Sequence, residues 1–151
     1  MDSSIGRRHL PHEVPLGVRI GPEDEVFFIT ICCLPRGLNQ LAHPGVWQTI
    51  DESLRHRERD GDLHVRLVLA MPDHLHGLFA FCGTKAMAKV ICDFKSWIAK
   101  CSGVHWQRDF FDHRLRGLES AAEKATYIRN NPVRAGLVSQ TKDWPYQTQA
   151  R

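Results

Sequence analysis

The sequence has no long apolar run, and its five cysteines form no C-x-x-C pair. Without about 18 consecutive apolar residues, no membrane span is expected. The first residues also lack a basic start followed by an apolar stretch, so no secretory signal is predicted. The cysteines lie in apolar segments, which predicts small buried side chains in a reducing, cytoplasmic compartment and neither a disulfide framework nor a cysteine zinc site. They are Cys32, Cys33, Cys82, Cys92 and Cys101.

The charge of the chain is small in total but unevenly distributed. The 151 residues carry a formal net charge of +3, and this length predicts one compact domain with its own core. Residues 1–84 have 8 basic and 11 acidic side chains, whereas residues 85–151 have 12 basic and 6 acidic ones. A basic half favours a partner that carries phosphates, although solvated basic faces are also common.

The hydrophobic pattern predicts one α+β domain over residues 25–151, preceded by an irregular N-terminal arm over residues 1–24. The predicted elements are strands over 25–34, 63–70, 74–81 and 106–115, and helices over 44–59, 84–101 and 120–131. Their order along the chain is strand, helix, strand, strand, helix, strand, helix. This order fits an antiparallel sheet with helices packed on it, and a ferredoxin-like arrangement is the first expectation.

Local patterns refine this prediction. Alternate apolar residues from Leu63 to Leu69 are expected on one face of the second strand. Ser120 and Glu123 match a capping box, which would begin the last helix at Ser120. Pro132 disfavours helical geometry in the residue before it, so that helix should end at Asn131.

Two histidines begin the third predicted strand, after a tight turn. His74 and His76 are two residues apart, so both side chains point to one face, where imidazoles about 7 Å apart along the strand can close on one metal ion. A polar, exposed sheet face is the alternative. The next residues on the same face, Leu78 and Ala80, are apolar. This favours a recessed metal site. A histidine-triad hydrolase would need a third histidine at position 78, where this chain has leucine. A zinc deaminase would need an adjacent glutamate and a later C-x-x-C, and both are missing. Neither class of enzyme is therefore expected.

A tyrosine and an asparagine share one face of the last predicted helix. Tyr127 and Asn131 are four residues apart and therefore stack on the helix surface. The apolar stripe of this helix runs through Leu118, Ala122 and Ala125, and Tyr127 lies off its centre. A tyrosine at the edge of a stripe is ordinarily structural, and only the histidine pair gives this one a second interpretation.

The histidine pair and the tyrosine together suggest a phosphoryl-transfer reaction. A metal ion held by the imidazoles would bind a scissile phosphate and draw charge from its oxygens. A phenol is a poor nucleophile at neutral pH until a base or a cation assists it. Its attack would form a covalent phosphotyrosine and release a 3′-hydroxyl. A second 3′-hydroxyl could then reverse the reaction, so strands would be exchanged without ATP.

Five segments, in order and at matching spacing, carry a family resemblance. They are MPDHLH at 71–76, FKS at 94–96, WQRDFFDHRLR at 106–116, YIRNNPVRAGLV at 127–138 and WPY at 144–146. Over about residues 25–147 the chain resembles the REP-associated tyrosine transposases, a branch of the single-tyrosine HUH transposases. No single segment decides the resemblance, but five of them in order are hard to reach by chance.

The resemblance implies a ferredoxin-like HUH fold with the histidine pair on a central strand and the tyrosine on a late helix. It implies that Tyr127 is the nucleophile and that His74 and His76 bind Mg²⁺ or Mn²⁺. Asn131 would be the third ligand or its close neighbour, although relatives outside this branch carry glutamine there. The implied partner is single-stranded DNA with hairpin elements, and the implied state is a monomer or a homodimer.

Five basic residues within or beside these segments are candidates for contacts with DNA phosphates. They are Lys95, Arg114, Arg116, Arg129 and Arg134. A surface salt bridge is an equally good interpretation of each one. Trp106 could stack on an unpaired base, but its place between an apolar helix and a strand favours the core.

Two other functions remain open on the sequence. One is a DNA-hairpin-binding protein that has lost catalysis, although the tyrosine and both histidines are present. The other is a minimal replication initiator or relaxase-type nickase, which shares the same residues but usually has further domains.

Overall fold

The computed structural model describes residues 25–81 and 83–148, so the predicted arm over residues 1–24 and Cys82 lie outside the described residues. The elements in chain order are β1 (Val26–Cys32), α1 (Pro44–Arg59), β2 (Leu63–Ala70), β3 (His74–Phe81), α2 (Met87–Ser102), β4 (Phe111–Leu115), α3 (Gly117–Arg129) and α4 (Asn131–Arg134). For α1, β2 and β3 the predicted boundaries are confirmed. Among the described residues, none of the helices has the length and apolar character needed to cross a membrane.

The strands form one antiparallel sheet in the order β2-β3-β1-β4. α1 connects β1 to β2, and α2 connects β3 to β4. This connectivity and strand order are those of the ferredoxin-like arrangement, so the predicted α+β fold class is confirmed. β1 and β3 occupy the centre of the sheet, and the histidine pair therefore lies on a central strand.

α1 and α2 cover one face of the sheet, which we call the helical face. The buried residues of α2 are Met87, Val90, Ile91, Phe94 and Ile98, the same set that the apolar spacing predicts. They pack against strand residues such as Phe27 and Phe79 in the larger hydrophobic cluster. α2 ends at Gly103, whose φ of 74° is the left-handed conformation that commonly closes a helix.

α3 and residues 138–148, which we call the final segment of the chain, pack on the opposite face. We call this the site face because it carries His74 and His76. Ile128 of α3 is fully buried there. The predicted apolar stripe is confirmed at Ala125, which packs against the hydrophobic cluster of this face, but Ala121 is buried in place of Ala122, which is exposed. Trp144 anchors the final segment by donating a 3.0 Å hydrogen bond from Nε1 to the carbonyl of Ala70.

A bulge in β2 makes one sequence prediction wrong. The pairing of β2 with β3 shifts register between Val65 and Leu67. Leu63 and Val65 consequently pack on the helical face, while Leu67 and Leu69 pack on the site face. One extra residue in a strand reverses the side-chain alternation beyond it. The bulge thus supplies apolar residues beneath α3 that a regular strand would have turned away.

The boundaries of β4 and α3 also differ from the predictions. β4 begins at Phe111 and not at residue 106, since Trp106 makes only an isolated bridge with Cys33. α3 begins at Gly117 with Arg116 as its N-cap, and no side chain caps it. The predicted capping box at Ser120 is therefore wrong, because Ser120 already lies inside the helix.

The cysteines do not all behave as buried hydrophobic residues. Cys33 is buried and Cys32 is half-buried, but Cys92 and Cys101 are exposed on α2. The four described cysteines are free thiols. The prediction of burial is wrong for the two α2 cysteines, because Cys92 lies opposite the apolar stripe and Cys101 lies in the last turn of the helix, beyond Ile98, the last buried residue of the stripe.

Gly77, directly after His76, is required by the packing of the helical face. A Cβ at this position would overlap Cε2 and Cζ of the Phe79 ring, which is buried and cannot move aside. We expect Gly77→Ala to lower the free energy of unfolding by about 1–3 kcal/mol in urea denaturation. Gly45→Ala is the matched control, since nothing lies within 4 Å of its Cβ position. A Gly77→Ala protein as stable as the wild type would contradict this packing argument.

Candidate active site

A cavity of about 480 Å³ opens on the site face and brings together residues from distant parts of the chain. The residues predicted to carry chemistry all line it: His74 and His76 from β3, Tyr127 from α3 and Asn131 from α4. More than fifty residues separate the first histidine from the tyrosine in sequence. The structure therefore places the phenol and the imidazoles in one cavity within a single chain.

The two imidazoles are close to each other and recessed. The ring centroids of His74 and His76 lie 4.7 Å apart. The side chain of His74 is 18% exposed, and His76 is 7% exposed. The ring of Phe28 stacks on His76 with centroids 5.4 Å apart, which closes that side of the pair. The recessed position that Leu78 and Ala80 predicted is confirmed.

Neighbouring side chains fix the orientation of each imidazole. Nδ1 of His74 lies 2.9 Å from Oδ1 of Asp73, and Nδ1 of His76 lies 3.0 Å from Oγ1 of Thr30. Asp73 is itself held by the guanidinium of Arg36, at 3.0 Å, and by the backbone N–H of Gly37, at 2.8 Å. Because Nδ1 is engaged in both rings, Nε2 is the nitrogen that each ring has left for a ligand.

Burial favours the neutral form of both imidazoles. It lowers the pKa of His76 to about 3, and a positive charge on His74, like those on Arg134 and Lys124, acts in the same direction. Burial also lowers the pKa of His74, although its hydrogen bond to Asp73 opposes the shift. Burial works against ionisation of Asp73, but hydrogen bonds from Arg36, His74 and Gly37 outweigh it and lower the pKa of that carboxyl. Neutral imidazoles are the form that binds metal.

The depressed pKa of His76 predicts a specific loss of stability in acid. In metal-free protein, an unfolded chain takes up a proton on this ring below about pH 6.5, whereas the folded protein does so only near pH 3. The free energy of unfolding should therefore be unaffected above pH 6.5 and fall by about 2 kcal/mol at pH 5. Urea denaturation with a chelator at pH 7 and pH 5 measures this loss. His76→Gln should lose about 2 kcal/mol less than the wild type, and equal losses would count against the buried neutral ring.

Tyr127 faces the imidazole pair from α3. Its ring centroid lies 6.5 Å from that of His76, and its side chain is half-exposed. Two cations approach the ring: the guanidinium carbon of Arg134 at 4.3 Å and Nζ of Lys124 at 5.1 Å from the centroid. Arg134 also donates a 3.1 Å hydrogen bond to the backbone carbonyl of Tyr127. Negative charge that develops on the phenolic oxygen or on a phosphate beside it would meet these cations.

A break in the helix positions Asn131. α3 ends at Arg129, and α4 begins at Asn131 with Pro132 in its first turn. The predicted end of the helix before Pro132 is thus confirmed to within two residues. Within residues 25–81 and 83–148, the side-chain amide of Asn131 makes no hydrogen bond, and it is available to the cavity.

The acidic and sulfur ligands usual in metal sites do not supplement the histidine pair. Among the described residues, no group of three or more histidine, cysteine, aspartate or glutamate side chains could hold a metal ion. A third protein ligand beside His74 and His76 would therefore be of another type, and Asn131 lines the same cavity.

Known proteins with similar sequences share one family name. A REP-associated tyrosine transposase of Escherichia coli strain K12 is 27% identical over 104 residues, which cover 64% of this chain and 63% of that protein. A Haemophilus influenzae protein provisionally given the same name is 45% identical over 47 residues, or 31% of this chain and 26% of that protein. The matched part of this chain thus spans less than two thirds of either relative. No family model matches the sequence.

Solved structures share the fold. A REP-associated tyrosine transposase bound to a REP hairpin matches with a TM-score of 0.73 at 22% identity, over 87% of this chain and 79% of that chain. A provisionally assigned transposase from Deinococcus radiodurans R1 matches with a TM-score of 0.51 at 16% identity, over 78% and 97% of the two chains. The chain resembles the REP-associated tyrosine transposases in sequence and in fold. The resemblance that the five segments predict is confirmed.

The five basic residues that the transposase resemblance singled out do not line the cavity themselves, and they have different partners. Arg134 contacts Tyr127, as described above. Lys95 donates to the carbonyls of Gln107 and Asp109, Arg114 pairs with Glu25, and Arg129 donates to Oε1 of Gln147 at 2.8 Å. Arg116 is exposed at the start of α3. Contacts of these residues with DNA stay a prediction.

Several residues that surround the imidazole pair and Tyr127 were not predicted from the sequence. Thr30 and Arg36 orient the imidazole pair from β1 and the loop after it, far from His74 in sequence. Asp73 directly precedes His74, and Lys124 lies about one helical turn before Tyr127. These spacings could have identified both residues as neighbours of the site. Trp106 packs against the core and donates to the carbonyl of Lys95, which confirms its structural interpretation.

Proposed function

We propose that this protein is a metal-dependent, site-specific endonuclease and strand transferase that acts on single-stranded DNA at REP-like hairpins. The observation that carries the proposal is the shared cavity of Tyr127, the imidazole pair and Asn131. The family name of the E. coli relative and the REP hairpin bound to the matched structure support the substrate class. A covalent 5′-phosphotyrosine would link the enzyme to the cut strand.

The residues of the cavity fit a divalent metal ion. His74 and His76 would offer Nε2, and Asn131 would offer its amide oxygen. Mn²⁺ accepts imidazole and oxygen ligands together, while Mg²⁺ prefers oxygen and keeps several waters. When bound, the ion would supply positive charge to the oxygens of the scissile phosphate.

Tyr127 would perform the bond exchange. Its phenolic oxygen would lose its proton and form a bond to phosphorus, while the bond from phosphorus to the 3′-oxygen breaks and that oxygen takes up a proton. The cations of Lys124 and Arg134 would stabilise the charge on the phenolic oxygen and on the phosphate. A second 3′-hydroxyl could attack the same phosphorus and release the tyrosine. One ester bond replaces another in each step, so no ATP is needed.

A covalent-adduct assay tests this proposal. A labelled DNA hairpin with single-stranded arms, taken from inverted repeats that flank the gene, is incubated with the protein and Mn²⁺. We expect a labelled species that survives denaturing electrophoresis and disappears when a chelator is added. A protein that binds the hairpin but never forms the adduct would instead be the catalytically silent binding protein. Absence of inverted repeats around the gene would favour the replication-initiator or relaxase alternative.

The orientation of His74 by Asp73 predicts a test of metal affinity. Replacing Asp73 by asparagine removes the charged partner of Nδ1, so we expect Mn²⁺ to bind about 10–100-fold more weakly. Isothermal titration calorimetry measures the change directly. Asp93→Asn is the matched control, because Asp93 pairs with Lys89 on the solvent side of α2. Unchanged Mn²⁺ affinity in Asp73→Asn would argue against a metal on Nε2 of His74.

A further inference from the structure

A short loop between α2 and β4 contributes Gln107 to the lining of the cavity, and it is firmly tied to the fold. The backbone N–H of Gln107 donates to the carbonyl of Cys32 at 2.7 Å. Nζ of Lys95 donates to the carbonyls of Gln107 and Asp109 at 2.9 and 2.8 Å. The indole Nε1 of Trp106 donates to the carbonyl of Lys95 at 3.0 Å. Lys95 therefore holds the loop from α2, and the backbone of Gln107 is fixed on both sides.

The side chain of Gln107 is available to a ligand. It lines the cavity, and in the part of the chain that the structure describes its amide makes no hydrogen bond. An amide carries a donor and an acceptor side by side, which is the pattern that reads the edge of a nucleobase. Because its backbone is held on both sides, the loop presents this amide from a fixed position.

Two aromatic residues line the cavity together with Gln107. Phe110 and Phe111 follow the loop directly and line the same cavity. Phe111 meets the ring of Phe28 edge to face, with centroids 6.1 Å apart, and Phe28 stacks in turn on His76. Both rings are only partly buried, but Phe110 packs against the cluster of the helical face and Phe111 against that of the site face. Partly exposed rings in a nucleic-acid site are platforms on which an unpaired base stacks.

We infer that the part of the cavity lined by Gln107 and Phe111 is a subsite for one unpaired nucleobase next to the scissile phosphate, with Gln107 reading the edge of that base. The inference rests on the proposed function, because it places the phosphate at Tyr127. The cavity of about 480 Å³ is large enough for a phosphate and one base. Phe111, which packs against the cluster of the site face, supplies a stacking surface that accepts any base, and Gln107 supplies the discrimination. Lys95 is a positioning residue for this subsite through its hold on the loop.

The test uses a pool of DNA hairpins whose single-stranded arms are randomised, with two separate readouts. The first is sequencing of the strands that wild-type protein cuts with Mn²⁺, aligned on the cut. The second is sequencing of the strands that Tyr127→Phe protein binds, aligned on the foot of the hairpin. Gln107→Met, which keeps the length of the side chain and removes its hydrogen bonds, is introduced into both proteins. Gln48→Met on the exposed surface of α1 is the matched control.

We expect a preference of at least about fivefold for one base at one position beside the cut, reduced below about twofold by Gln107→Met and unchanged by Gln48→Met. Preferences at the other positions should persist, and the melting temperature should not change. Identical base profiles in wild type and Gln107→Met, or no preference beside the cut in either protein, would overturn the subsite. If wild-type protein cuts nothing, the proposed function fails, and the bound pools alone still decide whether Gln107 reads a base.

Discussion

Replacing Tyr127 by phenylalanine is expected to lower covalent-adduct formation by at least about a thousandfold while hairpin affinity stays within about tenfold of the wild-type value. The substitution removes one oxygen and leaves the ring beside His76 and beneath Arg134. The side chain is half-exposed, so little stability is lost. Adduct formation is measured by denaturing electrophoresis, and affinity by fluorescence anisotropy of the same hairpin.

The sequence offers a close control for this experiment. It contains only one other tyrosine, Tyr146, which meets the ring of Trp144 edge to face at 5.3 Å in the final segment of the chain. Tyr146→Phe should form the adduct at a rate close to that of the wild type. An adduct that persists in Tyr127→Phe and is lost in Tyr146→Phe would reverse the assignment of the nucleophile.

The second large effect is expected from the imidazole pair. His74→Ala and His76→Ala should each weaken Mn²⁺ binding beyond detection by calorimetry at millimolar metal and lower cleavage by at least about a hundredfold. Either substitution leaves one imidazole, which is too few ligands for a specific site. Hairpin affinity should again stay within about tenfold, because phosphate contacts carry most of the binding energy.

His56→Ala is the control for the histidine substitutions. His56 is exposed near the end of α1, where it pairs with Asp60 on the helical side of the molecule. It should bind Mn²⁺ and cut DNA as the wild type does. A fully active His74→Ala protein would remove the metal from the account, while equal losses in His56→Ala would point to a general effect of histidine removal.

The central part of the fold could be predicted because its pattern is local and periodic. The apolar stripe of α2 and the alternation in β3 each depend on one segment alone, so the sequence is sufficient to place them. The bulge in β2 could not be predicted from its own segment. Whether an extra residue is favoured in a strand depends on the elements that pack on the two faces of the sheet. Leu67 and Leu69 point to the site face, where α3 packs, because the bulge precedes them.

The candidate site, like the fold, could be predicted only in part. The pairs His74–His76 and Tyr127–Asn131 follow from the periods of a strand and a helix, and both pairs were predicted. Their meeting in one cavity depends on the order of the strands, which no local pattern specifies. Thr30 and Arg36 were missed for this reason: β1 pairs with β3 across more than forty residues of sequence, and the pairing sets Thr30 opposite His76.

The roles of the basic residues were the least predictable part. A lysine or arginine in a motif is compatible with a phosphate, a carboxylate or a backbone carbonyl as its partner. In the folded chain Lys95 is engaged with two carbonyls and Arg114 with Glu25, whereas Arg134 lies on the tyrosine ring. Only the tertiary structure distinguishes these partners, because each of them lies on another element.

The most direct test of the shared cavity is a peptide map, by mass spectrometry, of the protein after reaction with a DNA hairpin. Trypsin places the two tyrosines on different peptides, 125–129 for Tyr127 and 143–151 for Tyr146. We predict a nucleotide attached through phosphate to Tyr127 in peptide 125–129 when Mn²⁺ is present, and no attachment when a chelator is present or when His76 is replaced by alanine. A nucleotide attached to any other residue, or attached to Tyr127 equally well without metal and without His76, would contradict the account.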